Sequence, residues 1–451
     1  MKRQGFEILA LKQQLLNGLV LVFFVSFNLQ GHCQAIKADF ETTAFHQAHQ
    51  LLTDVIVTDI LTPPVASRVY VYAHVAAYET LAAFNTSSYR SLAQQIKQLT
   101  VAPPPPNAQI IPAAAAIEAL LVTGRSMIFS EPMFDLGAAK IWETFNNKGY
   151  APAVLETSRA YGRQVAQHIL AWASQDNYKA TRAMRRYAPL KRPGAWLPTP
   201  PGYMGAVEPY WNRIRTLVLD SAAQYKPMPN ATFSSEKTSA FYQLAQEVHK
   251  VGKNLTEEQR LIANYWDCNP FFLNTQGHLN FATKKLSPGG HWLSIASQVA
   301  VLKKANLIKS SAAYTLSAIA MFDGFISCWD EKYRSNVIRP ETYINAHLDE
   351  SWRPVLQTPP FPEYTSGHSV ISSAVAEVLT HWFGDNIAFL DTTEVPYGLP
   401  TRKFTSFRQA AQESSISRLY GGIHYRPAIE NGQKQGKKIG EWVLKKIVLT
   451  R

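Results

Sequence analysis

Apolar residues recur at three- and four-residue spacing along most of the chain, which is the period of an amphipathic helix. Strict alternation of apolar and polar residues, the period of a half-buried strand, is rare. The segments with the helical period are residues 66–83, 109–125, 153–174, 235–249, 256–265, 290–304, 310–334, 367–383, 404–420 and 430–447. The pattern therefore predicts an all-α fold, a helical bundle with long irregular loops.

Two proline-rich segments, residues 102–106 and 192–201, separate groups of these helices. Such segments mark loops or domain linkers. No change in composition accompanies either of them, so we interpret both as loops. The sequence then predicts one helical domain over residues 36–451.

The first 35 residues have the features of an export signal. Lys2, Arg3 and Lys12 flank the start of a short apolar run at residues 15–25, and Ala35 lies where a signal peptidase would cut. A membrane-spanning helix needs about 20 apolar residues, more than this run supplies. We predict a signal peptide at residues 1–35, a mature protein in the periplasm or outside the cell, and no membrane span in that mature protein. An uncleaved anchor is the alternative.

The chain carries a formal net charge of +12, and its basic residues are spaced singly. A nucleic-acid partner would favour runs of like charge, whereas single spacing suits a small anionic ligand. Cys268 and Cys328 stand in no Cys/Cys or Cys/His metal pattern, and the sequence leaves open whether they pair.

Three short segments carry the candidate chemistry, and the first joins Lys332 to Arg339. Lys332 lies near the end of the helix predicted for residues 310–334, and Pro340 places Arg339 on an irregular segment. An arginine offers a planar fork of donors and a lysine a point charge, so the two can converge on one anion.

The second segment runs from Phe361 to His368 and is followed at once by an apolar helix. Ser366 is a suitable N-cap, and Gly367 leaves its backbone N–H approachable. A helix N-terminus with a hydroxyl and free N–H groups binds anions. His368, in the first turn, can give or take a proton beside such an anion.

The third segment contains Arg418 and, six residues later, His424. Gly421 and Gly422 lie between them and allow the chain to turn, so that both side chains can reach one place. Each segment alone is a weak signal, but their order and spacing together resemble the three-part signature of the superfamily of vanadium-dependent haloperoxidases and type 2 phosphatidic acid phosphatases.

Finer features resemble the bacterial, chloroperoxidase-like haloperoxidases. Phe361 to His368 fits the pattern Phe-Pro-x-Tyr-x-Ser-Gly-His, and Trp329 stands where an aromatic residue is found in those proteins. The segments 267–271 and 196–201 are similar more weakly. The resemblance implies the helical haloperoxidase fold, with an anion-binding core at about residues 310–447.

The resemblance also implies a vanadate cofactor, in a site that phosphate fits as well. Lys332, Arg339 and Arg418 would supply positive charge to its oxygens, and Ser366 and Gly367 would supply hydrogen bonds.

The same resemblance assigns the catalytic roles. His424 would bond to the metal, His368 would act as acid and base, and Lys332 would polarise hydrogen peroxide. Trp329 and Phe361 would form the wall of a halide pocket. The reaction would oxidise the halide to hypohalous acid, and Phe361, in place of a histidine typical of members that prefer bromide, points toward chloride.

Two departures from the family pattern leave alternatives open. Thr365 replaces a proline, and Ala428 replaces an acid that many members carry, for which Glu430 is a nearby substitute. One alternative is a metal-independent acid phosphatase that cleaves a phosphate ester through a phosphohistidine at His424. The other is a non-catalytic oxyanion-binding protein of the envelope, which the missing acid supports.

Overall fold

The computed structural model describes residues 40–270, 272–276, 279–282 and 284–451. The signal peptide predicted for residues 1–35 therefore lies outside the described residues. The helices of the described chain are α1 (residues 40–58), α2 (Pro63–Ala82), α3 (Pro112–Arg125), α4 (Glu131–Asn146), α5 (Pro152–Ala173), α6 (Tyr178–Arg182), α7 (Ala240–Lys253), α8 (Glu257–Tyr265), α9 (Pro288–Leu302), α10 (Leu307–Ser335), α11 (Pro340–His347), α12 (Gly367–Phe383), α13 (Phe407–Tyr420) and α14 (Arg426–Lys446).

Strands form a minor part of the described chain, as two short antiparallel hairpins. β1 (Leu273–Gln276) pairs with β2 (Leu279–Ala282), and β3 (Phe389–Asp391) pairs with β4 (Arg402–Phe404). The prediction of an all-α fold is confirmed, because each predicted helical segment overlaps an observed helix. The pattern missed α1, α4, α6 and α11.

The longest helix, α10, forms the centre of the molecule and carries Lys332 near its end. It packs against α2, α9, α12 and α14. Within the described chain, α10 is the one helix long and apolar enough to cross a membrane, and its apolar stretch is entirely buried inside the fold. The core helix of a globular protein has the same properties.

α12 and α14 approach so closely that glycine is required between them. A Cβ atom on Gly436 would lie 2.1 Å from the Val370 carbonyl oxygen, and one on Gly440 would lie 2.6 Å from the Ala374 oxygen. One turn earlier, a Cβ on Gly432 would lie 2.9 Å from the Ser369 Cβ, at the start of α12. Glycine on one face of α14 thus fixes the position of the α12 N-terminus.

One cluster of buried apolar side chains reaches from Ala44 in α1 to Leu449 beyond α14. A shared core of this kind supports the interpretation of residues 36–451 as one domain, which stays a prediction.

Candidate active site

The three predicted segments meet at a small cavity of about 30 Å³. Elements far apart in sequence supply its wall: the end of α10, the segment before α12, the first turn of α12 and the end of α13. The predicted site residues that line it are Trp329, Phe361, Gly367, His368, Arg418 and His424.

His424 is held in one orientation by Glu363. The Nδ1 atom of His424 lies 2.9 Å from Glu363 Oε1, which also accepts the Tyr425 backbone N–H at 2.9 Å. On its other side, His424 Nε2 lies 3.3 Å from Arg339 Nη1. An arginine can only donate, so Nε2 is an acceptor and Nδ1 carries the proton. Burial and the positive charge of Arg339 hold the pKa of His424 well below its usual value, which keeps the ring neutral.

Lys332 is fully buried, and its ammonium group is enclosed by the backbone of the second segment. Nζ donates to the carbonyl oxygens of Pro362 at 3.1 Å, Glu363 at 3.1 Å and Thr365 at 2.6 Å. These bonds use all three N–H groups of the ammonium, so in this geometry Lys332 acts on the cavity through its charge. Burial lowers the pKa of Lys332 to about 7.

Arg339 lies on the irregular segment after α10, as predicted, and occupies the N-cap position of α11 without a side-chain capping hydrogen bond. Pro340 begins this helix, because a proline fits its first position. Arg339 Nε donates to the Phe361 carbonyl and Nη1 to the Ile423 carbonyl, both at 2.9 Å. Its third nitrogen, Nη2, is buried without a partner in the described structure.

His368 and Arg418 share one backbone acceptor, the carbonyl oxygen of Trp266. Arg418 Nη1 donates to it at 2.8 Å, and His368 also forms a hydrogen bond to this backbone. Burial, with the charge of Arg418, holds the pKa of His368 well below its usual value. His368 is therefore a neutral imidazole whose Nε2 atom, buried and without a partner among the described residues, is free to accept a proton.

Ser366 and Gly367 open α12 at the cavity. The Ser366 hydroxyl accepts the Ser369 N–H at 3.3 Å, which confirms it as the N-cap. The first N–H groups of a helix have no partner within the helix. A Cβ on Gly367 would reach 3.7 Å from Trp329, so the glycine leaves this part of the cavity open.

Trp329 and Phe361 form an aromatic wall, with ring centroids 5.0 Å apart. Two cations lie against the Phe361 ring, Lys332 Nζ at 5.0 Å and Arg339 Cζ at 5.1 Å from its centroid. The wall is thus apolar on its surface and backed by positive charge, an arrangement that suits a halide ion.

The residues at this site fit a tetrahedral oxyanion such as vanadate. Arg339 Nη2, Arg418 Nε and His368 Nε2 are all buried polar atoms without a partner in the described structure. Such atoms cost free energy unless something pairs with them. An anion that accepts from the two guanidinium groups satisfies this requirement and offsets the buried charge.

Sequence reasoning missed two parts of the site. Glu363 is the variable residue of the motif Phe-Pro-x-Tyr. In the structure its carboxylate lies beside His424, the role for which the sequence analysis considered Glu430. Glu430 is exposed on α14. The Trp266 carbonyl is a backbone group, so no side-chain pattern in the sequence could predict its role. The weak resemblance of segment 267–271 indicated only that nearby residues matter.

The two remaining cysteines are unpaired. Cys268 and Cys328 are both buried and free. Cys268 lines the cavity, whereas Cys328 lies on α10, with Sγ 3.6 Å from the Thr365 carbonyl oxygen.

Comparison with known proteins gives one family. A model of the VCPO second helical-bundle domain matches residues 345–449. Among curated proteins, no match is found. A solved structure described as that of the first bacterial vanadium-dependent iodoperoxidase is similar at 48% identity and a TM-score of 0.85, over 91% of this chain and 97% of that one.

More distant structures share the fold. A holo-type bacterial vanadium-dependent chloroperoxidase matches with a TM-score of 0.61 at 15% identity, over 86% of this chain and 93% of that one. An apo-type form matches with a TM-score of 0.59 at 16% identity, over 84% and 94%. The 48% identity to the iodoperoxidase, over 97% of that chain, shows the family. The chain belongs to the vanadium-dependent haloperoxidases.

Proposed function

We propose that this protein uses vanadate and hydrogen peroxide to oxidise iodide to hypoiodous acid. Membership of the family supports vanadate as cofactor, and peroxide and a halide as substrates. The relative that is 48% identical is described as an iodoperoxidase. This description favours iodide as the substrate, whereas Phe361 in the sequence indicated chloride.

The observation that carries the proposal is the neutral, oriented His424 beside three buried cations. Lys332, Arg339 and Arg418 are each at most 1% exposed. Burial lowers the pKa of His424 most, and the three positive charges each lower it further, as expected for cations near one ring. Three cations in so small a volume repel one another unless an anion lies between them.

The chain's own residues would hold vanadate as follows. His424 presents the lone pair of Nε2 as a ligand, because its Nδ1 proton is committed to Glu363. Arg339 and Arg418 offer their free N–H groups to oxygens, and Gly367 offers the first turn of α12. Bound vanadate supplies Lewis-acid activation of hydrogen peroxide.

His368 is the residue that would move the proton. The reaction consumes one peroxide, one iodide and one proton, and gives hypoiodous acid and water. A histidine that is neutral at rest can take up a proton from peroxide as it enters and return it later to the departing oxygen. Its Nε2 atom is the free one, since the ring is already bonded to the Trp266 carbonyl.

The size of the cavity limits what reacts there. A volume of about 30 Å³ compares with the ~10–15 Å³ needed for one water. An organic substrate is too large for a cavity of this volume. We infer that hypoiodous acid leaves the site and iodinates its acceptors in solution.

The test uses protein reconstituted with orthovanadate in buffer free of phosphate. We expect iodide oxidation that requires both vanadate and peroxide, and no activity in His424→Ala. His381→Ala is the matched control, because His381 is exposed at the far end of α12, and it should keep full activity. Hydrolysis of p-nitrophenyl phosphate that needs no vanadate, without iodide oxidation, would instead establish the phosphatase alternative.

We also propose that residues 1–35 direct export and are removed. The support is the sequence alone: a basic start, a short apolar run and small residues before position 36. Mass spectrometry of the protein from a secreting host should give a mature N-terminus at position 36, in the periplasmic or extracellular fraction. Full-length protein retained in membranes would support the anchor.

A further inference from the structure

A second polar cluster borders the cavity, and one of its members, Cys268, lines it. Its members are Cys268, which follows α8, His291 in the first turn of α9, and Glu394 beyond β3, and all three are buried. Cys268 Sγ, His291 Nδ1 and Glu394 Oε1 each offer one ligand atom, and these atoms lie within 4.8 Å of one another. None of them has a role in holding the oxyanion.

The spacing of these atoms is that of a metal centre. Sγ lies 3.6 Å from Nδ1, and Nδ1 lies 3.1 Å from Oε1. In a tetrahedral zinc site with bonds of about 2.3 Å to sulfur and about 2.0 Å to nitrogen and oxygen, the corresponding separations are about 3.5 and about 3.3 Å. Two of the three separations thus match a tetrahedral zinc site, and the third, between the sulfur and the carboxylate oxygen, is at most 4.8 Å.

The surroundings of His291 point the same way. Its other nitrogen, Nε2, lies 2.7 Å from Asp391 Oδ2. The second oxygen of Asp391 accepts the Thr393 backbone N–H at 2.9 Å. Metal-binding histidines commonly donate their second N–H to an anchored carboxylate, which fixes the ring and strengthens the ligand.

The net charge of the cluster and Asp391 is the same with and without the ion. A divalent ion with the thiolate of Cys268 and the carboxylates of Glu394 and Asp391 has a net charge of −1. Without the ion, a protonated His291 between the two carboxylates and a neutral thiol also give −1. The metal therefore replaces two protons without a change in net charge. Thiolate, imidazole and carboxylate together are the ligand types of Zn²⁺.

We propose that Cys268, His291 and Glu394 bind a Zn²⁺ ion, with Asp391 orienting His291 and a water molecule in the fourth position. The ion ties three separate segments together, and one of them, the Cys268 segment, adjoins the active site. Trp266, two residues before Cys268, stacks on the His291 ring at 4.5 Å, and its carbonyl binds Arg418. Coordination also protects the Cys268 thiolate from peroxide in the adjoining cavity.

The test measures metal in the vanadate-free protein, so its outcome does not depend on haloperoxidase activity. Full-length protein produced with zinc and dialysed should contain an equimolar amount of zinc by elemental analysis. Cobalt should replace the zinc and give the near-ultraviolet absorption of a cobalt–thiolate bond. Added zinc should raise the melting temperature of the stripped protein, since binding stabilises the folded state.

Variants locate the site. Cys268→Ser and Glu394→Gln should each lose the zinc and the cobalt–thiolate band, whereas Cys328→Ser, a change at the other buried cysteine, should keep both. Glu394→Gln keeps the Cys268 thiol, so it can be used to test the zinc site if Cys268→Ser does not fold. Wild-type protein without zinc, whose melting temperature zinc leaves unchanged, would overturn the proposal in favour of a protonated His291. Equal metal loss in Cys328→Ser would overturn it as well.

Discussion

At the scale of single residues, the pair formed by His424 and Glu363 decides which nitrogen faces the cavity. Glu363 accepts the Nδ1 proton at 2.9 Å and thereby leaves Nε2 as the ligand atom. The carboxylate reaches this place from the segment before α12, not from the helix that follows His424, where the family pattern suggested an acid. Ala428 instead contributes its carbonyl oxygen, which accepts the Ser366 N–H at 3.0 Å.

We expect Glu363→Gln to weaken vanadate binding about 10- to 100-fold, the usual effect of losing a partner that orients a metal ligand. Burial raises the pKa of Glu363 to about 7, so a neutral amide should cost the fold little. The measurement is vanadate affinity by calorimetric titration, beside the melting temperature without vanadate.

Glu430→Gln is the matched control for this variant, because it makes the same change at an exposed position on α14. Its vanadate affinity should equal that of the wild type. The positioning role of Glu363 is refuted if both variants bind vanadate equally, or if Glu363→Gln loses affinity only in proportion to its loss of stability.

At the scale of elements, the site depends on the close contact of α12 with α14. Gly432, Gly436 and Gly440 recur every four residues and lie on one face of α14, where they face the backbone and small side chains of α12. This spacing was present in the sequence and could have indicated a close helix contact. The helical period alone did not say which helix would lie opposite.

We expect Gly436→Ala to destabilise the protein by about 1–3 kcal/mol, the usual cost of overpacking. The new methyl group meets a backbone carbonyl at 2.1 Å, which cannot rotate away, so the α12 N-terminus and its vanadate site must shift. Urea unfolding and vanadate affinity should both change. Gly205→Ala, whose Cβ would meet only an Arg186 side-chain nitrogen at 3.6 Å, should change neither. Wild-type behaviour of Gly436→Ala would contradict the close contact.

The missed helices show the limits of periodicity. α11 has eight residues and begins at a proline, and α4 buries only Phe134, Ile141, Trp142 and Phe145. Short helices are marginal by themselves and are stabilised mainly by tertiary packing. This explains α6 and α11. By contrast, α1 and α4 are long and bury residues at helical spacing, so their pattern was present in the sequence and was missed.

At the scale of the whole molecule, α1, α2 and α10 meet around two buried histidines, a half-buried histidine and a tyrosine. His49 Nδ1 lies 3.1 Å from His74 Nε2, and His46 Nδ1 lies 2.6 Å from the Tyr314 hydroxyl. Burial lowers the pKa of His46 to about 4 and that of His74 to about 3. The folded protein therefore holds these rings neutral at pH values where the unfolded chain would protonate them.

We expect the folded protein to lose stability as the pH falls from about 6.5 to 4. The unfolded chain takes up protons first in this range, at up to about 1.4 kcal/mol per pH unit for each histidine, and no such loss occurs above pH ~6.5. His46→Gln keeps an acceptor for Tyr314 and should lose less stability than the wild type between pH 6.5 and 4.5.

Urea unfolding at several pH values measures the difference. His381→Gln, at an exposed position, should follow the wild-type dependence on pH. Parallel curves for the wild type and His46→Gln would show that His46 is not held neutral by burial.

The sequence by itself determined the fold class, most of the long helices, and the segments that meet at the cavity. Each of these follows from local information: a 3.6-residue period, an N-cap before an apolar helix, and cations at helix ends in a recognisable order. Only the tertiary structure decided that Glu363 orients His424, that Lys332 is enclosed by three carbonyls, and that Cys268, His291 and Glu394 meet at the border of the cavity. These depend on backbone groups and on segments that can be more than a hundred residues apart. How the helices pack sets the distances between such segments, and no pattern within one helix does.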